Sequence, residues 1–376
     1  MKRSVAAMTL LLSVLGTSAL AAPAVHKTLE IGQPAPDFAL QGVDGKTYTL
    51  ADFQKAKVLA IVFTCNHCAT AQAYEDRLMQ LQRDYSSRGV ALVAICANDP
   101  LALRLDELNF SDLSDSLADM KIRAKDRNFN FPYLYDGDMQ VTANAYGPIA
   151  TPHIFIFDQN RILRYQGRID NAEIGKVTKQ DAREALDALL DGKPVPVATT
   201  RVFGCSTKWS DKRQGAVDAI KKWDAEPVSL NMIDAPAVAK LAKNDSNKLL
   251  LVNIWATWCG PCIIEMPDLV TINRMYRDRD FSFITISIDD PDQKAQALEL
   301  LTKDHVATTN YLYNSTDRDK LAEALDAKWP GPAPYTLLIA PGGQIIYRHD
   351  GALDALEVKR AIVDYLGRTA AGRAGK

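Results

Sequence analysis

Short apolar runs alternate with stretches of 3.6-residue periodicity along most of the chain, which predicts strands and helices in turn. Lys57 to Thr64 reads KVLAIVFT, a β-branched run that ends at Cys65. After Cys68 the period changes, and Tyr74, Leu78, Leu81 and Tyr85 fall on one helical face. Gly89 to Cys96 (GVALVAIC) is a second buried-strand pattern, followed by a largely polar, helical stretch from Leu101 to Arg127. His153 to Asp158 and Arg161 to Gln166 then predict a hairpin across a two-residue Gln-Asn turn.

The second half repeats this order. Lys248 to Trp255 (KLLLVNIW) leads to Cys259, a helix carries Met266, Leu269, Ile272 and Tyr276, and Phe281 to Ile288 is the next strand. Tyr335 to Ala340 and Gln344 to Arg348 flank Pro341-Gly342-Gly343 as the matching hairpin. Each half places a C-x-x-C between a strand and a helix, and a proline directly before its hairpin, Pro152 and Pro334. The first copy is longer between these landmarks, and its extra residues are expected in the polar stretch after Pro100. Pro194 and Pro196 stop a helix and mark a boundary, with a short helix expected from Lys212 to Trp223. Alternation of this kind predicts an α/β architecture built as two tandem domains, each a central mixed sheet flanked by helices.

At the N-terminus, Lys2 and Arg3 precede an apolar centre too short to span a bilayer, and Ala19, Leu20 and Ala21 supply an A-x-A cleavage site. Residues 1–21 are read as a signal peptide, which places the mature chain in a periplasm, without a transmembrane segment. The expected division is 22–197 for the first domain, 198–227 for a linker containing GCSTKW, 228–368 for the second domain and 369–376 for a polar tail. With 44 Lys+Arg against 46 Asp+Glu and no block of one sign, the composition argues against a nucleic-acid partner.

Chemistry centres on the cysteines. A thiol attacks only as thiolate, and a helix N-terminus favours that anion by directing N–H groups and the dipole at the sulfur. The first cysteine of each pair, Cys65 and Cys259, is therefore assigned as the attacking sulfur, with Cys68 and Cys262 one turn on as resolving sulfurs. A four-thiolate zinc site would need both pairs together, although they belong to separate repeats, and haem attachment fails because Ala69 and Ile263 stand where histidine is required. His67 could join Cys65 and Cys68 as a metal ligand. No cofactor is expected.

The whole pattern resembles the thioredoxin fold. NIWATWCGPCIIEMP, with Trp258, CGPC, Glu265 and Pro267 in register, is similar to the TlpA/ResA branch. IGQPAPDF, VFTCNHC and YGPIATPHIFIFD look like the redoxin branch related to AhpC/TSA, specifically its peroxiredoxin-like members. The resemblance implies that Pro152 and Pro334 are cis and face the dithiols, so that Thr151, Pro152, Ala333 and Pro334 contact the client. It implies that Glu265 manages protons on the resolving thiol, that His67 and Trp258 tune redox behaviour, and that Cys205 acts as a third redox or metal-binding sulfur. His67 stands where oxidising DsbA-type proteins carry histidine, which makes the first site the more oxidising and sends electrons from the second domain to the first. Asn253 replaces the buried aspartate of thioredoxin, and Pro267 should bend its helix, with Ala73 at the matching place in the first domain.

These features point to a thiol–disulfide oxidoreductase acting on protein thiols and disulfides, fed by a membrane thiol reductant or another electron donor. A thiol peroxidase is the alternative. The P-x-x-x-T-x-x-C signature of peroxiredoxins is absent around Cys65, where Val58 and Val62 stand instead of proline and threonine. A metal or copper chaperone is the third reading.

Overall fold

The computed structural model describes residues 26–369, so the segment read as a signal peptide and nearly all of the polar tail lie outside it. Two mixed sheets form the two halves. The first runs Thr47–Thr49, Ala39–Gly42, Tyr133–Tyr135, Val90–Cys96, Val58–Thr64, His153–Phe157 and Leu163–Gly167. The second runs Asn231–Ile233, Thr309–Tyr313, Phe281–Ser287, Leu249–Trp255, Tyr335–Ile339 and Ile345–Asp350. The apolar runs at Val58–Thr64 and Leu249–Trp255 are buried at every position, because helices or loops cover both faces. Each pairs parallel with the next strand in sequence and antiparallel with the strand that follows Pro152 or Pro334 in its own half.

The helices after the dithiol regions, Ala69–Tyr85 and Gly260–Tyr276, bury the faces their periodicity assigned: Tyr74, Leu78, Leu81 and Tyr85 in one, Met266, Leu269, Ile272 and Tyr276 in the other. The second runs on through Pro267 as one helix, and Thr271 bonds the Pro267 carbonyl at 2.9 Å.

Three local expectations are corrected. The Gln-Asn hairpin is a longer connection over 158–162, where Arg161 takes a positive φ of 60° and Asp158 receives the N–H groups of Asn160 and Ile162. Leu101 to Arg127 is not one helix: two short 3-10 turns, Pro100–Ala102 and Leu105–Leu108, precede a helix at Leu117–Arg127. The stretch read as linker is anchored on the first domain through residue 209. Thr199 bridges Gln166, Cys205–Ser206 pairs antiparallel with Ala150–Thr151, and Trp209 packs in that domain's core. A helix at Arg213–Asp224 follows, as expected.

The extra residues of the first half, within 97–132, join the two domains. Leu103 and Leu108 belong to the apolar core of the second domain. The Tyr276 hydroxyl donates to the Ser111 carbonyl (2.8 Å), and Arg279 donates to the Asn109 carbonyl (3.0 Å) with its guanidinium 4.3 Å from the Phe110 ring. Buried Asp112 is held by Arg360 and Arg368, both from the C-terminal end of the second domain.

Candidate active sites

Sheet register fixes how the two dithiol regions correspond. Phe63 and Ile254 pair with His153 and Tyr335, the residues that follow Pro152 and Pro334. Counting forward, Cys65 matches Ala256, Asn66 matches Thr257, His67 matches Trp258 and Cys68 matches Cys259. Helix starts agree, since Cys68 is the N-cap of Ala69–Tyr85 and Cys259 the N-cap of Gly260–Tyr276. The two C-x-x-C motifs are thus offset by three residues. Cys65 is not at the helix N-terminus; it closes the strand, and the sulfur at the positive end of the dipole is Cys68. The same offset corrects two other matches: Asp76, not Ala73, stands opposite Pro267, and His67 precedes the capping cysteine instead of following it.

Each capping cysteine is approached by a loop clamped from below by a buried carboxylate. In the first domain Asp115 accepts the N–H of Asn66 (2.8 Å) and of His67 (3.0 Å), while its other oxygen meets His67 Nδ1 (2.6 Å) and Asn98 Nδ2 (2.8 Å). In the second, Asp289 accepts the N–H and hydroxyl of Thr257. Sequence reading missed both aspartates. Asp289 lies just after the strand Phe281–Ser287, whereas Asp115 comes from the inserted segment, so no shared spacing marks them.

Burial opposes charge on His67, but the Asp115 carboxylate beside it, through charge and hydrogen bond, raises its pKa above the ordinary value. Asp115 is correspondingly held below the usual carboxylate range despite burial, by the charge and hydrogen bonds of His67. Both shifts favour the charged pair beside the sulfurs. Burial likewise opposes ionisation of Cys68. Hydrogen bonds from Cys205 and Cys65, the charge on His67 and the Ala71 N–H overcome it and bring that thiol well below its usual range. Cys65 moves the other way, raised by burial, by its bond to Cys68 and by the charge of Asp115. Cys65, Cys68, Cys96 and Cys205 are free thiols, and Cys96 is fully buried in the core.

The Thr151-Pro152 and Ala333-Pro334 bonds are both cis. Thr151 touches both first-domain sulfurs, its hydroxyl 3.1 Å from Cys65 Sγ and its carbonyl accepting from Cys68 Sγ at 3.2 Å. Donor atoms of Cys65, His67 and Asp115 lie within 4.8 Å of one another. The Asp115 oxygens already accept four donors, so the carboxylate serves to orient His67 and the loop and offers little to an ion.

In the second domain Cys259 and Cys262 form a disulfide across the first turn, and the Cys262 N–H points at Cys259 Sγ (3.3 Å). Trp258 is 56% exposed beside it, with the Arg318 guanidinium 5.3 Å from its ring. Glu265 is buried and accepts from Asn253 Nδ2 (3.0 Å) and the Leu353 N–H (3.0 Å). Burial raises its carboxyl above the ordinary range even so. The same Asn253 amide donates to Thr336 (3.1 Å), two residues past Pro334, so the residue that replaces a thioredoxin aspartate ties the helix carboxylate to the proline strand.

Residues 31–166 match the AhpC/TSA family and residues 221–363 the Redoxin family. The chain is 26% identical over 183 residues to the thiol-disulfide oxidoreductase ResA of Geobacillus thermodenitrificans, a match covering 48% of this chain and 91% of that protein. It is 32% identical over 112 residues to the ResA of Oceanobacillus iheyensis, covering 29% of this chain and 54% of that one. Among solved structures, an uncharacterized conserved protein from Geobacillus kaustophilus aligns at 38% identity and a TM-score of 0.44, covering 51% of this chain and 98% of that one. The chain is a tandem of two thioredoxin-like domains, the first belonging to the AhpC/TSA family and the second to the Redoxin family.

Proposed function

We propose that this protein is an exported thiol–disulfide oxidoreductase that exchanges disulfides with protein clients in the periplasm through sulfurs at two helix N-termini. The observation that carries the reading is the second dithiol: a disulfide spanning the first helical turn, its leading sulfur capping the helix beside an exposed tryptophan. On reduction, the dipole and the Cys262 N–H favour the Cys259 thiolate, which attacks a client disulfide; Cys262 then resolves the mixed disulfide. Glu265, with its raised carboxyl three residues past Cys262, is the group placed to hold the proton that Cys262 gives up. Ala333 and Pro334 form the client-facing edge of this site; Thr151 and Pro152 hold the matching place in the first, buried beneath the strand Cys205–Ser206.

Export rests on the A-x-A signature and the short apolar centre near the N-terminus. Among the described residues no helix is long and apolar enough to cross a membrane. A membrane thiol reductant, or another donor in that compartment, supplies the electrons. In the first domain Cys68 takes the nucleophile's role with Cys65 behind it, and His67 supports the thiolate as a neighbouring cation. Electrons pass from the second domain to the first, where the stabilised Cys68 thiolate favours the reduced form.

Reduction of insulin by dithiothreitol tests the reading: Cys259→Ser abolishes the acceleration, and Cys262→Ser captures clients as stable mixed disulfides. Acceleration that survives Cys259→Ser sinks it. The family match of the first half favours peroxide reduction as a second reading, with Cys68 as the peroxide-attacking sulfur. Counted from Cys68, the positions seven and three residues earlier are Ile61 and Cys65, so neither the proline nor the hydroxyl of the peroxiredoxin pocket is supplied. Peroxide consumption lost in Cys68→Ser would establish that reading instead.

A further inference from the structure

The strand Cys205–Ser206 lies on the residues that should receive a client. Thr151 pairs with Cys205 and Ala150 with Ser206 in antiparallel register, so the edge of the cis-proline loop is already occupied by this chain. The Cys205 N–H donates to Cys68 Sγ at 3.3 Å, and the Thr151 hydroxyl lies 3.5 Å from the Cys205 carbonyl. Approach is close enough to demand glycine at the preceding position. Gly204 has φ +134°, and a Cβ there would sit 2.0 Å from the Thr151 carbonyl oxygen. Beyond the strand, the Thr207 hydroxyl donates to the Pro148 carbonyl (2.7 Å), the Lys208 N–H to Asn98 (2.8 Å), and Lys208 Nζ to Glu107 (2.6 Å). The segment is therefore fastened on both sides of Cys205, with a thiol delivered to the capping sulfur of the first domain.

We infer that Cys205 is a third redox cysteine of the first site, the resolving partner of Cys68, carried in on a strand that occupies the place of a client backbone. The inference rests on the proposed disulfide exchange at Cys68. When local opening lifts the strand from the buried Cys68, its thiolate attacks one sulfur of an incoming disulfide, forms the mixed disulfide and expels the other half as thiolate. Cys205 loses its proton to that departing thiolate, attacks the Cys68 sulfur and expels the second half, leaving Cys68–Cys205 bridged. Two protein thiols are oxidised and one disulfide is reduced to two thiols. Cys65, behind Cys68 at the strand end, can then displace Cys205 and move the bridge inward. The hydrogen bond between Cys205 and Cys68 that depresses the latter's pKa also raises the Cys205 thiol, so Cys205 enters as a protonated second reactant and not as a competing nucleophile.

The test uses the full mature chain with Cys65→Ser, oxidised by glutathione disulfide and mapped by mass spectrometry of unreduced peptides. A Cys68–Cys205 cross-linked peptide is expected as the dominant product. In the Cys65→Ser, Cys205→Ser double variant, glutathione should remain on Cys68 instead. Gly204→Ala in the Cys65→Ser background displaces the strand, and the cross-link should fall about tenfold in favour of glutathionylated Cys68 as local opening uncovers the sulfur, with circular dichroism reporting that the fold persists. Stable glutathione on Cys68 with Cys205 free in the single variant overturns the role of Cys205 and leaves disulfide exchange standing. No modification of Cys68 in any of these variants overturns both.

Discussion

Cys68 and Cys259 occupy one and the same place in their domains, each four residues past the central strand and each capping the helix that follows. The likeness of CNHC to CGPC as written motifs hides this, because only the second cysteine of the first motif and the first cysteine of the second share a position. The positive end of a helix dipole acts on these two sulfurs.

Thiolate absorbance should therefore follow Cys68. In a chain carrying Cys259→Ser and Cys262→Ser, a thiolate signal is expected to persist below the pH at which an ordinary cysteine is protonated. It should vanish with Cys68→Ser and survive Cys65→Ser. A signal lost in Cys65→Ser alone would return the nucleophile to the first cysteine of the motif.

The His67–Asp115 pair gives stability two pH limits. Asp115 is depressed when folded, so its contribution is present above the ordinary value of 3.8 and is lost as pH falls through the lower folded value. His67 is raised when folded, so its contribution is complete below 6.5 and is lost as pH rises through the higher folded value. Asp115→Asn should cost about 3 kcal/mol between these limits, as expected for breaking one side of a buried pair. Chemical denaturation across the range would show both limbs flattened in the variant; an unchanged pH dependence would count against the pairing.

Glu265→Gln should separate proton handling from folding. The Asn253 amide and the Leu353 N–H bond different carboxylate oxygens, and glutamine keeps an oxygen at only one of those two places, so a loss of about 1 kcal/mol in stability is expected. The larger effect should be kinetic: because the carboxyl is raised, the wild-type rate of insulin reduction changes as pH crosses its elevated pKa, and that inflection should disappear in the variant. Retention of the inflection would assign it to another group.

Domain docking depends on the inserted segment. Tyr276→Phe removes the donor to the Ser111 carbonyl and should cost about 1 to 3 kcal/mol, since the acceptor is left buried and short of a partner. Asp112→Ala should be worse, since it removes the buried carboxylate shared by both arginines and leaves Arg360 with Asp126 and Arg368 with Asp364. Calorimetry is expected to resolve the unfolding of this variant into two transitions where the wild type shows closer coupling; one unaltered transition would mean that the salt bridges contribute little.

Much of this arrangement was legible in the residues themselves. KVLAIVFT and KLLLVNIW are apolar at nearly every position because both of their faces are covered, and that pattern is readable without a structure. Tyr74, Leu78, Leu81 and Tyr85 declare their helix by spacing alone. What escaped was register. A C-x-x-C looks the same wherever the preceding strand stops, and only the pairing of Phe63 with His153 and Ile254 with Tyr335 reveals the offset. Asp115 escaped for a related reason, since its partner His67 lies far away in sequence and an aspartate in a polar stretch reads as solvated until the chain folds it inward. Residues 199–209 looked like a linker because a two-residue strand leaves no periodicity to detect.

The insertion that carries Leu103 and Leu108 also governs how the molecule can be taken apart. A second half produced alone would present to water the apolar seat those leucines fill, and Arg360 would lose both of its carboxylates while Arg368 kept only Asp364. A first half alone would carry the two leucines as sticky projections. Electrochemistry on severed halves would thus report the properties of wounded proteins, and the potentials of the two sites are better read from the intact chain with one set of sulfurs silenced at a time.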